Sequence, residues 1–305
     1  MAYAEDLTVG TAGTPVETPF RRFISDFAES KLAILGMAVF SVVLFCAVFA
    51  PFISPTDPYD LSQLSILENT LPPGSASMKG GTFLLCSDAQ GRDILSGIFY
   101  GLRTSLFVGA MSGFIAFLVG LTIGLTSAYF GGRVDNVIMR VVDLQLSFPS
   151  ILIALVLLAI LGQGVDKIII ALIVVQWAYF ARTVRGSALV ERRREYIESA
   201  ECLALGHRRI VFKHLLPNCM PPMIVIGTVQ VAHAIALEAT LSFLGLGLPP
   251  TEPSLGLLIS NGFDYMLSGR YWISFFPGVA LLIAIGSINL VGDQLRDVLN
   301  PRLQK

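Results

Sequence analysis

The sequence contains no Gly-x-x-x-x-Gly-Lys-Ser/Thr stretch, so it lacks the phosphate loop by which many proteins hold ATP. No Gly-x-Ser-x-Gly or His-Glu-x-x-His occurs either, which removes the commonest signatures of serine hydrolases and zinc peptidases. There are only three histidines, and the four cysteines (Cys46, Cys86, Cys202, Cys219) show no Cys-x-x-Cys spacing. Neither a zinc site nor a disulfide framework is indicated, and no metal ligand or catalytic residue is expected. Charge is scarce too. Only 14% of residues are Asp, Glu, Lys or Arg, against about 25% in soluble domains. The formal net charge of −1 gives no reason to expect a nucleic-acid partner.

What is abundant is apolar. Hydrophobic residues make up 54% of the chain, and the mean hydropathy is +0.70. The run Leu32–Phe52 has 21 residues, enough to cross a hydrocarbon core about 30 Å thick. A signal-peptide core is only about 7–15 residues long, so this run reads as a retained anchor. Further runs at 105–129, 144–162, 167–184, 221–246 and 271–292 bring the number of expected spans to six. Pro149 interrupts the third, the fourth is short before Arg182, and "LGQGVD" between them predicts a tight helical hairpin. Runs of this length exclude barrel strands, so the fold class is an all-α bundle of six transmembrane helices.

Orientation follows from Lys and Arg. With the N-terminus inside, the outer loops hold Lys79, Arg92, Arg103, Lys167 and Arg270, and the inner segments hold the other sixteen of 21. That asymmetry predicts an N-in, C-in chain in a membrane, crossing it several times. Residues 1–31 form a cytoplasmic segment, with 1–18 expected to be disordered. Within it, Phe20, Phe23, Ile24 and Phe27 share one face of "PFRRFISDFAESK". Either a helix lying on the inner membrane surface or a helical lead-in to the first span fits this pattern. Residues 32–104 comprise the first span and a long external loop, and 105–305 the remaining core. The longest inner loop falls at about 185–220.

Ionisable residues inside the apolar runs are few: Glu238 and His233 in the fifth, Asp143 near the third. An intramembrane carboxylate is a candidate functional group. Glu238 is followed by the small, close-packing "ATLSFLGLG", which favours a structural hydrogen-bonding role. His233 reads as a satisfied bundle histidine. A proton-driven carrier coupled through Glu238 and His233 is the alternative, as is a scaffold without transport. In the inner loop, Glu195, Glu198 and Glu201 lie on one side of an expected helix, and Ile197, Ala200 and Leu203 or Ala204 on another. Ser199 and Ala200 carry little bulk, so a partner could approach the backbone closely. A docking helix and a solvated loop helix both fit.

The stretch "EYIESAECLALGHRRIVFKHLLPN" resembles the Glu-Ala-Ala loop of the permease subunits of binding-protein-dependent ABC importers. Glu198, Ala200, Leu216 and Pro217 match in register, Ser199 stands for the first Ala, and Ala204 occupies the usual Gly position with Gly206 two residues later. "SDAQGRDILSGIFYGLRTSL", with Asp88, Gly91, Arg92 and Asp93, resembles the segment before the second span in the dipeptide, oligopeptide and nickel subfamily. "EATLSFLGLGLPPTEPSLG" and "NLVGDQLRDVLNPR" fit as well. The resemblance implies a type I importer permease in a bacterial inner membrane, not an enzyme. It further implies a second homologous permease subunit, two cytoplasmic ATPase subunits carrying ATP and Mg2+, and a periplasmic or lipid-anchored solute-binding protein. This chain itself would bind no cofactor, and its lipid-facing surface would contact the membrane. The Glu-Ala-Ala loop would couple it to the ATPases.

Overall fold

Backbone amides in lipid have no water to pair with, and the long apolar runs meet this by winding into helices that pair every group internally. The computed structural model describes residues 19–58, 60, 66–78, 80–249 and 251–299, without the side chains of residues 19, 20, 22 and 66. The expected disordered stretch 1–18 and the outer-loop residue Lys79 lie outside the described residues. The first helix, α1 (Pro19–Ala28), is separate from α2 (Lys31–Val48). Ser30 caps α2 by accepting a hydrogen bond from the Ala33 amide. A single turn, α3 (Ala50–Ile53), closes that span. After the external loop comes α4 (Ile94–Phe130), whose 37 residues span about 55 Å. Then follow α5 (Gly132–Ser147), α6 (Ser150–Leu161) and α7 (Val165–Glu191). The inner loop contains α8 (Glu195–Cys202), α9 (His207–Arg209) and a π-helical turn at Ile210–Leu215, which runs into α10 (Leu216–Phe243). Short α11 (Leu255–Phe263) and long α12 (Trp272–Leu299) complete the chain.

Among the described residues, five helical stretches are long and apolar enough to cross a membrane: α2, α4, α7, His207–Phe243 and α12. The third expected span differs from a straight helix. Instead of one run over 144–162, α5 and α6 meet at an 89° bend. The cause is local: proline disfavours helical backbone in the residue before it. Phe148 accordingly is extended, at φ −92° and ψ 142°, and α6 restarts after Pro149. Alone, the 12 residues of α6 reach only about 18 Å.

The helices α4 and α7 form the tightest pair. A Cβ at Gly120 would lie 2.5 Å from the Trp177 carbonyl oxygen, and one at Gly124 2.5 Å from that of Ala181. Only glycine permits this approach, which is the way small residues let membrane helices pack backbone to backbone. An ion pair adds to the joint: Arg185 of α7 donates to Asp135 of α5 at 2.6 Å, and Ser127 of α4 donates to the same carboxylate at 2.5 Å. Asp143 of α5 pairs with Arg182 of α7. Both of those side chains are about half exposed, so that second pair contributes little. The α1 segment lies along α12, where Gln294 donates to the Asp26 carbonyl at 3.2 Å. Residues 29 and 30 separate α1 from α2.

Candidate functional site

The inner loop is seated on the end of the α4–α7 pair. Ile197 and Ala200 of α8 are buried there with Leu125, Ala128 and Tyr129 of α4, Val184 and Ala188 of α7, and Ile210 and Leu215 from the second arm of the loop. Ala200 is only 4% exposed. It does not offer a bare backbone to a partner, because the chain's own core covers it. Glu195, Glu198 and Ser199 face outward, and so does Leu203, at 74% exposure. Leu203 therefore separates from the inner face with which the helical pattern grouped it. Together with exposed Phe212, it gives the polar loop surface apolar points that none of the described residues covers.

The turn after α8 is sharp, and the residue at the usual glycine position makes it. The amide of Leu205 donates to the Ala200 carbonyl at 3.2 Å and that of Ala204 to the Glu201 carbonyl at 2.9 Å. That is the Schellman pattern, which wants a left-handed residue at the position of Ala204. Ala204 takes φ +55°, whereas Gly206, two residues on, has φ −61° and takes no part in the reversal. A left-handed residue bearing a Cβ costs about 1–2 kcal/mol, part of which glycine's larger unfolded-state entropy returns. Ala204→Gly should thus stabilise the turn by a net ~0.5–1 kcal/mol, slowing hydrogen exchange at the Leu205 amide about two- to fivefold. Unchanged or faster exchange would show that the turn is not strained. Beyond the turn, Leu216 packs against the core and Pro217 opens α10. Pro221 and Pro222 inside α10 remove two more helical hydrogen bonds. With the π-helical turn before them, they make this the loosest junction of the loop.

The segment before α4 is a tight turn built on carboxylates. Asp88 accepts from the amides of Gln90 at 2.7 Å and Arg92 at 2.8 Å, and Gly91 supplies a left-handed φ of +75°. Burial raises the Asp88 carboxyl above its ordinary range, against the pull of those amides and of the Arg92 charge. Asp93 caps α4, accepting from the Ser96 amide at 2.8 Å and its hydroxyl at 2.6 Å. These four motif residues shape the helix start. Beside them the Cys86 thiol is fully buried and pushed up to about 12 by burial, Asp93 and Asp88.

Glu238 is completely buried. Ser105 of α4 donates to it at 2.7 Å and Ser242 of α10 at 2.8 Å, and Ser254 is a third hydroxyl partner. Ser254 also caps α11, accepting from the Leu257 amide at 3.1 Å. One carboxylate thus joins three helices, and the N-terminal dipole of α11 favours its negative charge. His233 is exposed. Five residues along a helix turn it about 140° away from Glu238, so the two do not form a coupling pair. Among the described residues no group of three or more His, Cys, Asp or Glu could hold a metal ion.

A bundle of five to six candidate spans, with a loop seated across one end of a tightly packed helix pair and a hydroxyl-bonded carboxylate near the other, is the architecture of a polytopic membrane protein. The chain belongs to the inner membrane components of binding-protein-dependent transport systems, whose family model matches residues 120–305, and the model for the N-terminal TM domain of oligopeptide transport permease C matches residues 18–73. It is 38% identical to the dipeptide transport system permease protein DppC of Escherichia coli over the full length of both chains. It is 36% identical to the di/tripeptide transport system permease protein DppC of Pseudomonas aeruginosa, covering 94% of this chain and 93% of that one. The fold is similar to that of the MetNI methionine ABC transporter in an inward-facing conformation, with a TM-score of 0.56 at 23% identity, over 68% of this chain and 98% of the other. The chain is a permease of the bacterial inner membrane.

Tyr129 and Arg192, at the root of the loop, lie in no stretch that the sequence singles out. The serines that meet Glu238, and His207, lie inside the resembling stretches, but nothing in their spacing marks what they contact. A helical phase for α8 would have marked Leu203 only if the position of α4 and α7 beneath it were already known.

Proposed function

We propose that this chain forms one half of the pathway of an ATP-driven importer of short peptides, with a second homologous permease as the other half. Two cytoplasmic ATPases hold ATP and Mg2+, and an external binding protein delivers the peptide. The peptide class rests on the names of the relatives. The coupling rests on one observation: α8 leaves its polar edge and Leu203 uncovered while its opposite face is fixed to the α4–α7 pair. A subunit that grips this edge would move a 37-residue helix, whose far end carries the Glu238 cage. ATP and the loaded binding protein each shift the equilibrium toward an outward-open state only by their differential affinity for it. ATP-dependent dipeptide uptake by proteoliposomes holding both permeases and both ATPases is the test. Uptake that persists without the ATPases would overturn the reading.

The reading also sets orientation, with both chain ends and α8 in the cytoplasm, in line with the distribution of Lys and Arg. The native cysteines supply the probe. Cys202 is exposed on α8, whereas Cys86 and Cys219 are buried. A membrane-impermeant maleimide should label Cys202 in inside-out vesicles and not in right-side-out ones, and leave Cys86 unmodified in both. Labelling of Cys202 from the external face would reverse the topology.

A further inference from the structure

We propose that Tyr129 is a positioning residue that clamps both arms of the α8 loop to the end of α4, so that movement imposed on α8 is passed to the helix and not absorbed in the loop. This rests on the coupling reading above.

The loop enters from α7 and leaves toward α10, and its two arms converge on one side chain. On the entry arm, the Arg192 guanidinium lies over the Tyr129 ring, 5.4 Å from its centroid. The same group donates to the Ala128 carbonyl at 3.0 Å, satisfying an oxygen that the helix end leaves unpaired. On the exit arm, the Tyr129 hydroxyl hydrogen-bonds His207 Nδ1, and the two rings meet edge to face at 5.5 Å. Tyr129 itself is buried in the core that seats Ile197 and Ala200. Arg192, 64 positions from Ala128, and His207, 78 positions from Tyr129, are thus both fastened to α4.

The exit arm needs that fastening. A groove of about 210 Å³, lined by Leu125, Tyr129, His207, Val211 and Phe212 among others, opens between it and α4. The π-helical turn and the prolines of α10 follow directly. Force arriving at α8 could dissipate along this loosely packed arm. With Tyr129 holding both arms, α8 and the glycine-packed α4–α7 pair move as one body.

The test uses the complete complex in proteoliposomes, with dipeptide-loaded binding protein inside the assay, and measures dipeptide moved per ATP hydrolysed. Crosslinking of native Cys202 to the ATPase reports docking separately. Tyr129→Ala should crosslink as wild type yet move about tenfold less dipeptide per ATP, the size expected for losing a neutral hydrogen bond and a cation–π contact together. Tyr129→Phe keeps the ring under Arg192 and should lose only about threefold. His207 is exposed, so changes there do not threaten folding. His207→Ala should match Tyr129→Phe. His207→Asn, whose amide atoms fall near the position of Nδ1, should restore most of the loss. A Tyr129→Ala complex coupled within about twofold of wild type would overturn the clamp. Should that variant fail to reach the membrane, equal coupling in His207→Ala and His207→Asn would overturn it instead. If Cys202 of the wild type does not crosslink to an ATPase, the coupling reading fails. If it does and Tyr129→Ala remains coupled, the clamp alone fails.

Discussion

Replacing Ala200 with Arg should strip the permease of its ATPases and of its transport together, while leaving it in the membrane at normal abundance. The side chain at this position points into the core formed by α4, α7 and the two loop arms. Arginine there adds bulk, which alone costs about 1–3 kcal/mol in a packed core. It also buries a charge with no partner, at several kcal/mol more. An eight-residue helix has no stability of its own and holds its place by packing. The cheapest response is for α8 to leave its seat, turning Leu203 and the carboxylates away from where a partner would meet them. Association should fall by a factor of ~100 or more, since each ~1.4 kcal/mol is tenfold. The spans α4 and α7 keep their own close packing through Gly120 and Gly124, away from Ala200, and still insert. Co-purification from detergent, measured beside membrane abundance, decides the matter. Normal ATPase stoichiometry with normal uptake would sink the assignment of α8.

Glu238→Ala should be nearly as damaging, for a different reason. The carboxylate accepts from Ser105 and Ser242 in a site with no solvent exposure. Removing it leaves two buried hydroxyls short of a partner, each costing about 1–3 kcal/mol. The void left by the side chain adds to that. A loss beyond ~3 kcal/mol should lower the detergent melting temperature by roughly 10 °C and reduce membrane abundance. Glu238→Gln behaves differently. Its carbonyl still accepts, its amide donates to a serine oxygen, and each hydroxyl can rotate to suit. Transport by the Gln variant should stay close to wild type. If it is abolished in a fully assembled complex, the carboxylate acts by its charge and the packing role is wrong.

The spans and the outward carboxylates of α8 were legible in the sequence because both depend on local pattern. Apolar runs of about 20 residues must be helical in lipid, and Glu195 and Glu198 show their common edge by spacing alone. The rest depended on what is distant. Pro149 marked a break, but not that the chain would turn by 89° there. Ala200 read as a place where a partner could come close. It is instead where the chain packs on itself, since a short helix does not reveal which of its faces the neighbouring spans will cover. Substituting alanine for the usual glycine at 204 left the bend in place, because a Schellman turn forces the backbone into the left-handed region whatever the residue, at a modest cost. Glu238 stood out in the sequence as an intramembrane carboxylate, yet Ser105, its partner on α4, lies 133 positions earlier. Tyr129 gave no signal at all: its role arises only when the two arms of the loop are brought to it.

The central claim is that the uncovered edge of α8 is where the ATPases grip this permease, and Leu203→Arg tests it most directly. Leu203 is exposed and makes no part of the chain's own core, so the change leaves folding and insertion intact, unlike Ala200→Arg. A charge placed at the centre of an otherwise closed interface is costly, at about 2 kcal/mol or more. The measurement is the ATPase-to-permease ratio in the complex purified from detergent, read beside the ratio of the two permease subunits. The account predicts that the permease pair stays intact while the bound ATPase falls at least tenfold and ATP-dependent uptake falls with it. A Leu203→Arg complex that keeps both ATPases in full and imports dipeptide at the normal rate would contradict it.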